Sequence, residues 1–150
     1  MQKHLIKLWS LLLFAAALFA LPMTAQAETS GTCGDNLTWV LDDEGTLTIS
    51  GTGEMADYSY FDNTSPWGKQ VKNVEIEDGV TSIGEFAFFR CQSLTSVSIP
   101  DSVTRIGEEA FGDCIKLTSV AIPSDVTSIG NNAFYGCHRL PHITIPERKS

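Results

Sequence analysis

Apolar residues along this chain follow neither the 3.6-residue period of an amphipathic helix nor one unbroken strand alternation. From Val80 onward they fall at fixed places in a unit of 23 residues. The units read VTSIGEFAFFRCQSLTSVSIPDS from Val80, VTRIGEEAFGDCIKLTSVAIPSD from Val103 and VTSIGNNAFYGCHRLPHITIPER from Val126, with no insertion or deletion. Val80, Ile83, Ala87, Phe88, Leu94, Val97 and Ile99 each recur in the next two units, as do Gly84, Cys91 and Pro100, with one exchange: Ile143 stands for valine. Within the unit, Leu94-Thr-Ser-Val97-Ser-Ile99 alternates apolar and polar residues and predicts a short strand. Pro100 ends it, because proline cannot donate to a ladder. Gly84 to Phe88 predicts a tight turn and then a short helical or 3₁₀ piece, with Ala87 and Phe88 inward and Gly84 supplying an unusual backbone angle.

A short fixed period is the mark of a solenoid. One unit cannot bury its own apolar residues, but stacked units place like positions about 4.8 Å apart. Phe88, Phe111 and Phe134 then form one column and Leu94, Leu117 and Leu140 another. Val71 to Gly79 matches Leu94 to Ser102 and supplies a partial fourth copy, with Glu77 in place of Pro100. Upstream, Leu37–Leu41 and Thr46–Ser50 are β-patterned, and the cluster Asp42-Asp43-Glu44-Gly45 between them predicts a β-hairpin.

The repeated words L-x-x-V-x-I-P and V-T-x-I-G-x-x-A-F-x-x-C strongly resemble the BspA-like leucine-rich repeat family of bacterial surface and secreted proteins. The resemblance covers Val71 to Pro146. It places Leu94-x-x-Val97-x-Ile99 on the family's strand, Val103 and Ile106 on the return, and Phe111 and Cys114 on the convex side. The expected fold is therefore mainly β (α+β at most): a short right-handed leucine-rich-repeat solenoid with 23-residue repeats, preceded by a β-hairpin cap. The words GTCG, GTLTISGTG and PW before the repeats resemble the leader that often precedes them. Its implied role is to cover the apolar end of the stack, with the aromatic cluster Tyr58, Tyr60, Phe61 and Trp67 closing it.

The first residues change the expected address. Lys3 and Lys7, an apolar run from Leu8 to Leu21 and Ala25-Gln26-Ala27 have the order of a secretory signal, and the run is shorter than the roughly 20 residues a bilayer crossing needs. The expected organisation is signal peptide 1–27, capping module 28–70 and repeats 71–150, giving a secreted or cell-surface protein with no membrane insertion after cleavage. Losing Lys3 and Lys7 takes the formal charge from −8 to −10. So acidic a chain is a poor partner for nucleic acid, which requires clustered Lys and Arg.

Candidate chemistry is thin. Cys91, Cys114 and Cys137 share one column beside the buried phenylalanines. They read as small buried thiols rather than disulfides, and Cys33 reads as free. Cys137, His138 and His142 fit no tetrahedral zinc pattern, and Asp42-Asp43-Glu44 and Glu75-x-Glu77-Asp78 do not match a calcium loop. Asn36 and Asn63 begin glycosylation sequons. No nucleophile elbow, zinc helix or phosphate loop is present, so no catalysis, cofactor or metal is expected.

What remains is a surface. The outward strand positions are Asn73, Glu75, Ser96, Ser98, Ser119, Ala121, His142 and Thr144, a flat and mostly uncharged candidate interaction face. The resemblance implies protein–protein interaction or adhesion at the cell surface or to host components. The alternative is a structural spacer that self-associates, possible as a homodimer, through an open C-terminal edge from Pro141 to Ile145. Pro141, Pro146 and the tail could also blunt that edge, or the chain could be a family member that lost its downstream half.

Overall fold

The computed structural model describes residues 29–147; the expected signal segment lies outside them. Ten strands follow one another: β1 (Thr29–Gly34), β2 (Leu37–Leu41), β3 (Thr46–Gly51), β4 (Gly53–Glu54), β5 (Asn73–Ile76), β6 (Val80–Ile83), β7 (Ser96–Ser98), β8 (Arg105–Ile106), β9 (Ser119–Val120) and β10 (Ser128–Ile129). They form a six-stranded sheet in the order β1-β2-β3-β5-β7-β9 and a four-stranded sheet in the order β4-β6-β8-β10. This is a β-solenoid of about four turns, each turn giving one strand to each sheet.

The hairpin expected from the sequence is β2–β3, paired antiparallel with Trp39 opposite Ile49. β1 adds a third antiparallel strand with a bulge between Thr32 and Gly34. Beyond it the pairing is parallel. β3 lies along β5 with Leu47 beside Val74, and β4 lies along β6. Thr46 to Glu54 thus forms a turn of the same stack, ahead of the first full repeat.

The core is one continuous cluster running the length of the stack. Phe88 and Phe111 stack with ring centroids 5.2 Å apart, and Phe111 and Phe134 stack at 5.3 Å. Trp67 occupies the same column one turn earlier, 5.3 Å from Phe88, and its indole N–H donates to the Ala87 carbonyl. Trp39 and Tyr58 meet Trp67 edge-on and close that end. The expected cluster therefore divides: Tyr58 and Trp67 are buried, whereas Tyr60 and Phe61 are exposed.

Two expectations about the unit are corrected. The segments 85–90, 108–113 and 131–136 are successive turns, and no helix occurs among the described residues. Every fourth residue there has left-handed backbone, Phe86 and Arg90 in the first unit, Glu109 and Asp113 in the second, Asn132 and Gly136 in the third. A helix cannot pass through such residues. Alternate amides bond in different directions instead. Phe86, Phe88 and Arg90 donate to carbonyls of Glu108, Ala110 and Gly112 in the next turn, while Ala87, Phe89 and Cys91 donate three residues back. The convex side is thereby a third inter-turn ladder.

The second correction concerns Gly84, Gly107 and Gly130, none of which has positive φ. Glycine is required there by close approach. A Cβ on Gly84 would lie 1.9 Å from the Ala56 carbonyl oxygen, one on Gly107 2.6 Å from the Glu85 nitrogen, and one on Gly130 2.4 Å from the Glu108 nitrogen.

At the C-terminal end the expected strand from Pro141 to Ile145 does not form. The reason is local. Thr95 and Thr118 each tether the start of their strand to the preceding turn, donating through the amide and through Oγ1 to the carbonyls of Lys72 and Thr95. Pro141 stands at that position with neither donor. The Leu140 amide still reaches the Cys137 carbonyl as in earlier units, and the ladder is lost one residue later.

Candidate interaction surface

Strand pleating decides which side chains the six-stranded sheet shows to solvent. In β5, Val74 and Ile76 are buried while Glu75 is exposed and Asn73 half-buried. Parallel register then lines up Asn73, Ser96 and Ser119 in one row and Glu75 and Ser98 in another. Ser96 donates from Oγ to the Asn73 side-chain oxygen at 2.7 Å. Ala121 lies just beyond β9 and is exposed; His142 and Thr144 are exposed but lie on no strand. The sheet therefore brings together six of the eight predicted positions, counting Ala121 at its margin, and leaves two outside the ladder.

The same face continues further in the other direction. Thr46 pairs with Asn73 and Thr48 with Glu75. Val40 and Thr38 lie opposite Thr48 and Ser50, and Ser30 and Thr32 lie opposite Val40 and Thr38. The outward surface thus spans six strands and is dominated by hydroxyls, with Glu75 its charged group. The signal that could have found this half is the phase of Thr46-Leu-Thr-Ile49-Ser, which matches Asn73-Val-Glu-Ile76.

The remaining reactive groups are put out of use by burial. All four cysteines are free and buried. Cys114 donates from Sγ to the Phe88 carbonyl and Cys137 to that of Phe111, both at 3.1 Å, so the thiol column ties turn to turn. Burial pushes the Cys33 and Cys91 thiols up to about 11, with Lys69 opposing it at Cys91. A hydrogen bond with Cys137, and then burial, raise Cys114. A thiol held protonated is neither nucleophile nor metal ligand. Cys137 differs: its hydrogen bond with Cys114 lowers it against the effect of burial, and there it is the buried position of the sulfur, bonded to the Phe111 carbonyl, that keeps reagents away. No cluster of three or more His, Cys, Asp or Glu side chains among the described residues could hold a metal ion. Asp42 turns its carboxylate onto the amides of Glu44 and Thr46, which explains the acidic hairpin tip as turn chemistry.

Comparison with known proteins agrees with this architecture. Residues 59–150 match the family described as a BspA type leucine rich repeat region (6 copies). No curated protein matches the chain. Among solved structures, the chain is similar to a leucine-rich repeat protein from Eubacterium ventriosum ATCC 27560, with 28% identity over 81% of this chain and 45% of that one and a TM-score of 0.62. It is also similar in fold to a leucine-rich repeat protein from Bacteroides capillosus ATCC 29799, at 19% identity over 81% of this chain and 99% of that one, TM-score 0.53. The chain spans less than half the length of the first of these.

Proposed function

The chain belongs to the BspA type leucine-rich repeat family, and from that premise we propose that it is an exported, non-enzymatic repeat protein that binds a protein partner at the cell surface or among host components. The observation that carries this reading is the outward face of the six-stranded sheet. It is continuous across six strands and rich in hydroxyl groups, with Ser96 bonded to Asn73 and Thr38 to Ser50 within the face. Export is supported by the order of basic, apolar and small residues before Glu28. The absence of a recognisable catalytic constellation and the burial of all four thiols support the non-enzymatic part.

The test is capture from extracellular-matrix extract on the immobilised chain, beside a variant carrying Ser96→Arg and Ser98→Arg. Both side chains point outward, so the variant should unfold like the parent. Saturable capture of one protein by the parent, and its loss in the variant, is the expected result. Equal capture by both would remove the strand face from the reading, and no saturable capture would remove the reading itself.

A further inference from the structure

The segment 59–69 folds against the first full repeat and leaves a cavity of about 130 Å³. Two cations, Lys69 and Arg90, share its wall with the rings of Tyr60, Phe86 and Phe89, and no Asp or Glu lines it. In a chain of 18 acidic and 10 basic residues, such a lining is a local reversal of sign. The Ser65 hydroxyl is also part of the wall. Its residue is 8% exposed and its oxygen has no hydrogen-bond partner. A buried hydroxyl left unpaired carries a desolvation cost.

The cations are held in place. Arg90 donates to the Tyr60 hydroxyl at 2.8 Å, its guanidinium carbon sits 4.9 Å from the Tyr60 ring centre and 5.2 Å from that of Phe89, and its Nε faces Asp113 at 3.7 Å. Lys69 donates to the Phe89 carbonyl. Both keep donors to spare, since guanidinium carries five N–H bonds and ammonium three. Ser59 and Thr64 add hydroxyls to the wall, and Phe61, outside the lining, is 82% exposed and packs edge-on to the lining residue Tyr60.

The repeat shows that these residues are a departure. The two left-handed positions of the third unit hold Asn132 and Gly136, residues suited to that backbone. The first unit places Phe86 and Arg90 there, at a conformational cost of order 1 kcal/mol each. Phe89 stands where the second unit has Gly112 and the third Tyr135. Phe86, Phe89 and Arg90 all line this cavity.

From this geometry we infer that the cavity between segment 59–69 and the first repeat is a binding site for a carboxylate side chain of an acidic partner peptide, with an adjacent apolar residue packing on Phe61 and Phe89. The carboxylate accepts from Lys69 and Arg90, a charge-assisted arrangement stronger than neutral hydrogen bonds. Tyr and Arg at a partly desolvated pocket are also the residue types that dominate protein-interface energetics. The site shares no residue with the strand face, so either can fail alone.

The experiment titrates the full chain, with amide resonances observed by NMR, against the acetylated and amidated tripeptide Phe-Glu-Phe and its Gln counterpart. Shifts confined to residues 59–65, 69 and 86–90 are expected, with affinity about tenfold weaker for the Gln peptide. Lys69→Met and Arg90→Met should each weaken the Glu peptide by a similar factor, and added salt should weaken it in the parent chain. Equal binding of the Gln peptide, or no shift in this region at about 10 mM peptide, overturns the assignment. So does glucuronate binding as tightly as the peptide, because the carboxylate would then come from a sugar. The Glu/Gln comparison and salt response use the parent chain, so they decide even if a variant fails to fold.

Discussion

Replacing Gly107 by alanine tests the close approach of successive turns in the middle of the stack. Where space and backbone angle allow, Gly→Ala stabilises a protein by about 0.4–1 kcal/mol through the unfolded chain. Here the added Cβ would meet the Glu85 nitrogen at 2.6 Å and the Gly84 carbonyl carbon at 2.8 Å. The first contact is about 0.8 Å short of the 3.4 Å at which ordinary van der Waals packing begins. Both opposing atoms are backbone, so no side chain can swing aside. Relief requires the two turns to part locally, across the hydrogen bond from the Gly107 amide to the Ile83 carbonyl. Overpacking typically costs about 1–3 kcal/mol, and with backbone on the opposing side the upper end applies, about 3 kcal/mol. Urea unfolding followed by circular dichroism reads this as a lower midpoint at unchanged slope. Ser119→Ala on the exposed face is the control, expected within about 0.5 kcal/mol of the parent. Asparagine at 107 separates the two accounts of this glycine. It tolerates left-handed backbone, so an angle requirement would make it milder than alanine, whereas a space requirement makes it worse. A Gly107→Ala protein as stable as the parent, or an asparagine variant milder than alanine, refutes the close-approach argument.

Phe111→Ala removes a ring stacked on both sides and should cost about 3–5 kcal/mol, with Phe134→Ala, on the half-buried last turn, costing clearly less in the same urea assay. Ellman's reagent should find no fast thiol in the native protein at pH 8 and all four after unfolding. Because burial raises Cys33 and Cys91 from 9.0 to about 11, their contribution to stability is complete below pH 9 and is lost as pH climbs toward 11; a urea midpoint that does not fall over that window contradicts it. Glu109→Asn should stabilise by about 1 kcal/mol, since it places the residue of the third unit at a left-handed position and removes an unpaired buried carboxylate oxygen. Burial above all, then Asp113 and Glu108, raise the Glu109 carboxyl against a lowering hydrogen bond from Asn132. The native state thus favours the neutral acid, and the gain should be larger at pH 7 than at about pH 3.

Stacking makes some features legible because it maps one sequence position onto one spatial column. Phe88, Phe111 and Phe134 could be placed face to face from spacing alone, and so could the cysteine column and the phase of Val74 against Asn73. The role of Gly84, Gly107 and Gly130 was not legible in the same way. A glycine required by angle and one required by space look identical in sequence, and only the distance to the Ala56, Glu85 or Glu108 backbone separates them. The loss of the last strand was written in one residue, Pro141, but its meaning depended on the inter-turn bonds of Thr95 and Thr118, which periodicity does not reveal.

The hidden first turn has a different cause, and it bears on the cavity. Gly53 pairs with Val80, and Trp67 stacks on Phe88. Fourteen residues separate the first pair of positions in their turn where eight separate Val80 from Phe88. The six additional residues break the period, so Thr46 to Trp67 does not read as a repeat although it stacks as one. They also form the loop that carries Ser59, Tyr60 and Thr64 to the cavity. A turn serving only to cover Phe88 would need no such loop, because Trp67, Tyr58 and Trp39 already do so. Shortening the loop between Tyr58 and Ser65 should therefore leave the Trp67–Phe88 stack and the thermal midpoint nearly intact while abolishing the Glu-peptide shifts at Phe89 and Arg90. A midpoint that collapses with the loop would instead make the loop part of the cap.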